Sequence, residues 1–291
     1  MQKKVKKAII AVAGFGTRFL PATKAQPKEM LPIIDKPIIQ YIVEDAVKSG
    51  IEDIILVTNY NKRSIEDHFG ISKELELHLE EQGKIEFLKQ IKEIPNLANF
   101  IFIRQKGGYG NGSPVLDAKH IIGDEPFAVL WGDDLFLNDK KPHLKQLLDT
   151  YYEYNVPIIT AMDIDDEGTK KYGVIEGEEI KEGIIKINKL VEKPGPENTK
   201  SRIGSLGGYI LTPEIFEILE NTPLNNKGEL CLADAIATYS KTHEVYAKKI
   251  DGEYNDTGNP ISWLKTNVDY ALKREDIKEE FKKYLIQKIN E

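Results

Sequence analysis

Residues 8–13, Ala-Ile-Ile-Ala-Val-Ala, form an unbroken apolar run that stops at Gly14-Phe15-Gly16. An apolar run without polar alternation fits a strand covered on both faces, and the glycines let the chain turn tightly at its C-terminal end. The arrangement recurs. Residues 51–59 read as a second buried strand, residues 99–104 as a third, and residues 127–131 as a fourth that runs into Gly132-Asp133-Asp134. Helical patterns lie between them. From Pro37 to Ser49, Ile38, Ile39, Ile42, Val43, Ala46 and Val47 share one face, and Gly50 is placed to cap the C-terminus. Residues 62–94 are charged and amphipathic, and Ser113-Pro114 reads as the N-cap and first residue of a helix through His120.

Such alternation predicts an α/β fold: a Rossmann-like, mostly parallel central sheet with helices on both faces and ligands at the C-terminal strand ends. Both the glycine loop and the Asp133-Asp134 pair fall there. The second half has a strand at 157–162 and shorter alternating segments at 172–176, 184–191 and 207–211, which predict a small sheet covering the pocket. Helices at 213–219 and 232–240, a strand at 245–250 and charged C-terminal helices over 260–289 complete the reading. No repeat or Pro/Gly/Ser linker interrupts residues 1–291, so one domain is expected.

Charge narrows the partners. With 40 Lys plus Arg against 47 Asp plus Glu, the net charge of -7 leaves no general basic field for a nucleic acid. An anionic ligand must therefore meet locally placed cations. The basic-then-apolar start is broken by Gly14, Gly16 and Arg18, and no segment approaches the ~20 apolar residues of a membrane span. Cys231, the single cysteine, cannot form an intrachain disulfide and reads as a small apolar residue. A soluble, cytoplasmic protein is expected.

In Gly14-Phe15-Gly16-Thr17-Arg18, successive backbone N–H groups can cradle phosphate oxygens, Arg18 offers a planar fork, and Lys28 adds a second cation. A glycine turn after a strand also suggests a nicotinamide-dependent oxidoreductase. Phe19 stands where the third glycine of that fingerprint belongs, however, and Thr58-Asn59 rather than an acidic residue ends the second strand. His68, His78, His120, His143 and His243 all fall outside the motifs.

The stretch over residues 13–41, AGFGTRFLPATKAQPKEMLPIIDKPIIQY, resembles the signature of the nucleotidylyltransferases that make nucleotide sugars. The resemblance continues in order through Arg104-Gln105, Gly132-Asp133-Asp134, Tyr172-Gly173-Val174-Ile175, Val191-Glu192-Lys193-Pro194, Gly228-Glu229-Leu230 and Asp256-Thr257-Gly258-Asn259, and so covers nearly the whole chain. It implies attack by the phosphate of glucose 1-phosphate on the α-phosphorus of UTP, with pyrophosphate leaving. That nucleophile is already an anion and needs no general base, so stabilising negative charge is the main chemical task. dTTP or another hexose 1-phosphate would serve the same chemistry, and a non-catalytic nucleotide-sugar sensor could share the scaffold.

By the resemblance, Arg18, Lys28, Asp133 and Lys193 are the catalytic residues. Ala13, Gly14, Gly16, Thr17, Arg18, Lys28, Glu29, Gln105, Gly110 and Asp133 would bind the nucleotide. Gly173, Glu192 and Lys193 would bind the sugar phosphate, and Asp133 with Asp256 would hold Mg²⁺, a hard cation suited to carboxylates. Asp134 is expected only to support them. The resemblance divides the chain into a nucleotide-binding half (about 1–135), a sugar-phosphate-binding half (about 136–259) and a C-terminal helical segment (about 260–291). It also implies a homodimer or homotetramer with contacts around residues 263–289.

Two segments depart from the family pattern. Gly110-Asn111-Gly112-Ser113-Pro114-Val115 stands where Gly-Leu-Gly-His-Ala-Val is usual. Gly228-Glu229-Leu230-Cys231-Leu232-Ala233-Asp234 stands where Gly-Glu-Ile-Gln-Leu-Thr-Asp is usual. The phosphate and metal motifs are intact, while the base and sugar preferences stay open. Gln105 can match an edge that uracil and thymine share.

Overall fold

The structure, a computed structural model, describes residues 3–138 and 140–291. Nine strands form one sheet: β1 (Lys7–Ala11), β2 (Asp53–Thr58), β3 (Asn99–Arg104), β4 (Phe127–Trp131), β5 (Ile158–Asp163), β6 (Gly173–Lys181), β7 (Ile184–Glu192), β8 (Ile203–Leu211) and β9 (Tyr246–Lys249). Their order across the sheet is β3-β2-β1-β4-β8-β5-β9-β7-β6. The first four run parallel, and β8 lies antiparallel between β4 and β5.

The unbroken apolar runs have a direct cause. Ile10, Leu56 and Leu130 point into a core on one face of the sheet, and Ile9, Ile55, Val57 and Val129 into a second core on the other. Neither face meets water, so there is no polar alternation to see. On the first face, the helix Ile38–Lys48 buries Ile38, Ile39, Ile42, Val43 and Ala46. On the second, the helix Leu232–Tyr239 buries Leu232, Ala235, Ile236 and Tyr239. Each such aliphatic side chain contributes about 1.5–3 kcal/mol when fully removed from water.

The chain leaves β1 toward β2 and β3 on one side, while β4 lies on the other. This reversal opens a crevice at the C-terminal ends of β1 and β4, where open α/β sheets bind ligands.

Three expectations change in detail. The segments at 172–176, 184–191 and 207–211 belong to β6, β7 and β8, which continue the central sheet rather than forming a separate cover. The small separate sheet near the crevice pairs Asp134–Leu137 antiparallel with Glu253–Asp256, with Asp134 opposite Asp256. Alternation reveals a strand but not its partner, which lies 120 residues or so away. Residues 62–94 fold as three helices, Arg63–Phe69, Lys73–Glu81 and Ile85–Glu93. The helix expected to start at Ser113 runs Gly112–Asp117, so Ser113 and Pro114 sit inside its first turn, and the Ser113 hydroxyl donates to the Tyr109 carbonyl at 3.2 Å. Among the described residues, no helix is long and apolar enough to cross a membrane.

Candidate active site

The loop after β1 carries the glycines. Gly16 has φ +66°, and a Cβ there would lie 3.1 Å from Lys28 Cβ and 3.2 Å from Thr23 Cγ2, so only glycine lets Lys28 pack this closely. Thr17–Phe19 follows as a single helical turn that leaves Arg18 exposed. Lys28 opens another single turn, Lys28–Met30, and its Nζ reaches Asp133 Oδ2 at 2.5 Å. Burial pulls the Lys28 ammonium down, but the Asp133 and Glu29 carboxylates outweigh it and hold the group above its usual value.

Asp133 follows β4, and its backbone carbonyl accepts from Thr257 N at 3.0 Å and Thr257 Oγ1 at 2.6 Å. That clamp brings the 256–259 loop onto the strand end. A Cβ at Gly258 would lie 2.6 Å from Asp133 Oδ2, 2.9 Å from Asp256 Oδ1 and 3.6 Å from Arg18 Nη1. Two carboxylates therefore converge on one gap that a glycine leaves open, beside a guanidinium. Among the described residues, no cluster of three or more His, Cys, Asp or Glu side chains assembles for a metal. Two carboxylates fit Mg²⁺, which fills its octahedron with water and phosphate oxygens, and they fit poorly an ion needing an all-protein cage.

Asp134 points to the other side of the turn, where Tyr254 Oη donates to its Oδ1 at 2.9 Å. Burial first, then the Asp133 and Asp256 charges, push its carboxyl up to about 8. Strand alternation is the ground for expecting only support from Asp134, but a two-residue turn at 132–133 separates it from β4, and Tyr254 is its unforeseen partner.

Glu29 does not reach the cleft. It is 1 % exposed, and its Oε2 pairs at 2.7 Å with Nζ of Lys62, also 1 % exposed. The expected role of Glu29 in binding the nucleotide is therefore not one of contact; it lies a layer below Lys28. Burial raises the Glu29 carboxyl and lowers the Lys62 ammonium, while the charge of each partner opposes the other's shift. Lys62 is missed by sequence reasoning, because a lone lysine in a polar loop looks like any solvated charge.

Ala13, Gly14, Arg18, Lys28, Gln105, Gly110, Asp133 and Lys193 line one continuous part of the cleft. Gly107, Gly108 and Gly110, at φ +135°, +84° and +101°, shape the loop after β3, and Gln105 Nε2 donates to Gly108 O at 2.6 Å. This loop is zipped to the segment 229–232. Leu230 N donates to Tyr109 O at 2.7 Å, Gly112 N to Leu230 O at 2.9 Å, and Leu232 N to Asn111 Oδ1 at 2.8 Å. The two segments that depart from the family pattern are thus neighbours, one bracing the other.

On the opposite wall, β7 ends at Glu192, and Gly173 of β6 stands across from it in register. A Cβ at Gly173 would lie 3.3 Å from Glu192 Oε2, so the glycine gives that carboxylate room. Lys193 has φ +47°, a left-handed conformation that costs a non-glycine residue about 1–3 kcal/mol. Its amide donates to Tyr172 O at 3.2 Å, and its ammonium lies 2.8 Å from Glu192 Oε1. The bend aims Lys193 where it borders the glycine-loop side, the Asp256 side and the Glu192 side of the cleft alike. Cys231 lies near Glu192 as a protonated thiol, pushed up to about 11 by burial and then by the Glu192 and Asp234 charges.

A cleft at a sheet's switch point that sets Arg18, Lys28 and Lys193 around two converging carboxylates has the charge pattern of an enzyme that transfers phosphate groups. More specifically, the chain belongs to the nucleotidyl transferase family, which matches residues 7–273. It is 48 % identical over 291 residues to a UTP–glucose-1-phosphate uridylyltransferase of Streptococcus pneumoniae serotype 4, covering 99 % of this chain and 97 % of the relative. Among solved structures, it is similar to a UDP-glucose pyrophosphorylase complexed with UDP-glucose (40 % identity, TM-score 0.85, 93 % of this chain and 100 % of the other). It is also similar to a UTP-bound UGPase from Acinetobacter baumannii (36 % identity, TM-score 0.90, 97 % of this chain and 99 % of the other).

Proposed function

We propose that the protein transfers the uridylyl group of UTP to glucose 1-phosphate, giving UDP-glucose and pyrophosphate. A phosphate oxygen of the sugar attacks the α-phosphorus in line, and the bond from that phosphorus to the oxygen bridging the β-phosphorus breaks. The observation that carries the reading is the convergence of Asp133 and Asp256 at Gly258, beside Arg18 and within reach of Lys28. Those carboxylates hold Mg²⁺, which when bound neutralises phosphate charge.

The remaining work falls to the chain itself. The N–H groups of the 13–17 loop cradle the nucleotide phosphates, Arg18 and Lys28 stabilise charge developing on the departing pyrophosphate, and Lys193 steers the sugar phosphate toward it. Glu192 accepts from sugar hydroxyls, and the Gln105–Gly110 loop reads the base. Each cation placed this way contributes roughly 10²–10³-fold to turnover. Residues of about 1–135 handle the nucleotide, those of about 136–259 the sugar phosphate, and those of about 260–291 form a helical appendage.

Rates of pyrophosphate release across a panel of nucleoside triphosphates and sugar 1-phosphates test the reading. UTP with glucose 1-phosphate should be turned over best, EDTA should abolish turnover, and Mg²⁺ should restore it. Equal or faster turnover with dTTP or another hexose 1-phosphate would favour the alternative substrates that Gln105 leaves open.

A half-buried, unpaired Cys231 suits work in the reducing cytoplasm. The chain acts as a homodimer or homotetramer. In support, the last helix, Lys278–Asn290, buries none of its residues yet presents Tyr284, Ile286 and Ile289 to solvent.

A further inference from the structure

Lys62 is a fully buried lysine that the transfer chemistry does not use. Stability gives no reason for a buried ion pair here, since apolar residues of similar volume often pack as well or better. Its place suggests another reason. Lys62 Nζ is 2.7 Å from Glu29 Oε2, Glu29 adjoins Lys28 in one helical turn, and Lys28 Nζ is 2.5 Å from Asp133 Oδ2. Charges therefore alternate from the interior to the cleft: Lys62 positive, Glu29 negative, Lys28 positive, Asp133 negative.

Gly132, just before Asp133, closes this stack from the side. A Cβ there would lie 2.9 Å from Glu29 Cγ and 2.6 Å from Val12 Cγ1, so Glu29 is wedged under the strand end. On the Lys62 segment, Asn61 Oδ1 and Ser64 Oγ are buried without hydrogen-bond partners. The Lys62–Glu29 pair is the ionic tie between this segment and the cleft floor, beside a hydrogen bond from Asn59 Nδ2 to Ala13 O at 3.5 Å.

We propose that Lys62 is a positioning residue for nucleotidyl transfer: by neutralising Glu29 from below, it leaves Lys28 free to stand in the cleft beside Asp133. Without Lys62, Lys28 is the cation left to oppose the burial of the Glu29 carboxylate. An ammonium on a flexible four-carbon stem is then drawn down toward it and away from the phosphates. This inference rests on the proposed reaction, and the parent protein's turnover of UTP with glucose 1-phosphate reads that reaction separately.

The test is a mutant cycle with the full-length protein and Mg²⁺, read as kcat, KM and Tm. Lys62→Met should lower kcat about tenfold or more, and Lys62→Arg, which keeps the charge, should recover most of that loss. In a Lys28→Ala background, Lys62→Met should change kcat less than about twofold while still shifting Tm. A purely structural role would give the same factor in both backgrounds, and that result would overturn the proposal.

Should Lys62→Met fail to fold, the paired variant Glu29→Gln/Lys62→Met leaves no buried charge and decides the matter. Lys28 then has no competitor below it, so kcat should lie within about fivefold of the parent. A paired variant that is folded and slow by tenfold or more would equally overturn the assignment.

Discussion

Asp133 and Asp134 are neighbours with opposite fates, and the difference is environmental. Asp133 faces the cleft with Lys28 against it, whereas Asp134 faces inward, where burial and two nearby carboxylates favour its protonated form. The turn at 132–133, between the strands Phe127–Trp131 and Asp134–Leu137, sets them in different surroundings. His143 shows the same control by burial. It is 4 % exposed, its Nε2 is 2.8 Å from Thr160 Oγ1, and its ring stacks on Phe136 with centroids 3.7 Å apart. Burial pushes its pKa from 6.5 down to about 3. The folded form therefore stays neutral while the unfolded chain takes up a proton, so this residue's contribution to stability is lost as pH falls from about 6.5 toward about 3. The expected slope is about 1.4 kcal/mol per pH unit in that window. Denaturant melts at pH 7, 6, 5 and 4 should show it, and His143→Gln, which has no titrating ring, should flatten it. An unchanged slope in that variant would sink the assignment.

Among the elements, the loop after β3 depends most on a partner distant in sequence. Gly110 has φ +101°, and a Cβ there would lie 2.7 Å from Leu230 N, so the loop and the 229–232 segment touch backbone to backbone. Gly110→Ala should strain or separate them. At about 1–3 kcal/mol for such a conformation, KM for UTP should rise roughly 5- to 150-fold. Because Glu229 and Cys231 of the same segment line the Glu192 side of the cleft, KM for glucose 1-phosphate should rise as well. Steady-state kinetics with each substrate varied in turn will show whether both move; a change confined to neither would mean the zipper is idle. The departures from the family pattern at 110–115 and 228–234 looked like two separate uncertainties in the sequence. They form one contact, with Asn111 Oδ1 accepting from Leu232 N.

At the scale of the molecule, the Lys278–Asn290 helix is a candidate contact surface, since Tyr284, Ile286 and Ile289 are exposed in the single chain. Light scattering should give a mass of two or four chains, and Ile286→Glu combined with Ile289→Glu should shift it downward. A parent that scatters as a single chain would refute the oligomer.

The sequence by itself determined the strand-and-helix alternation, the buried character of β1, β2 and β4 and the strand-end placement of the glycine loop and Asp133, because local periodicity and backbone freedom are written residue by residue. It also carried most of the candidate cleft, from Arg18 to Lys193, since those side chains sit in motifs with recognisable spacing. What only the tertiary structure decided depends on pairing across the chain. That includes the insertion of β8 between β4 and β5, the backbone contact of Gly110 with Leu230, the burial of Glu29 on Lys62, and the left-handed bend that aims Lys193. Contacts between residues 30 to 120 positions apart are fixed by packing and register, and no short stretch of sequence contains them.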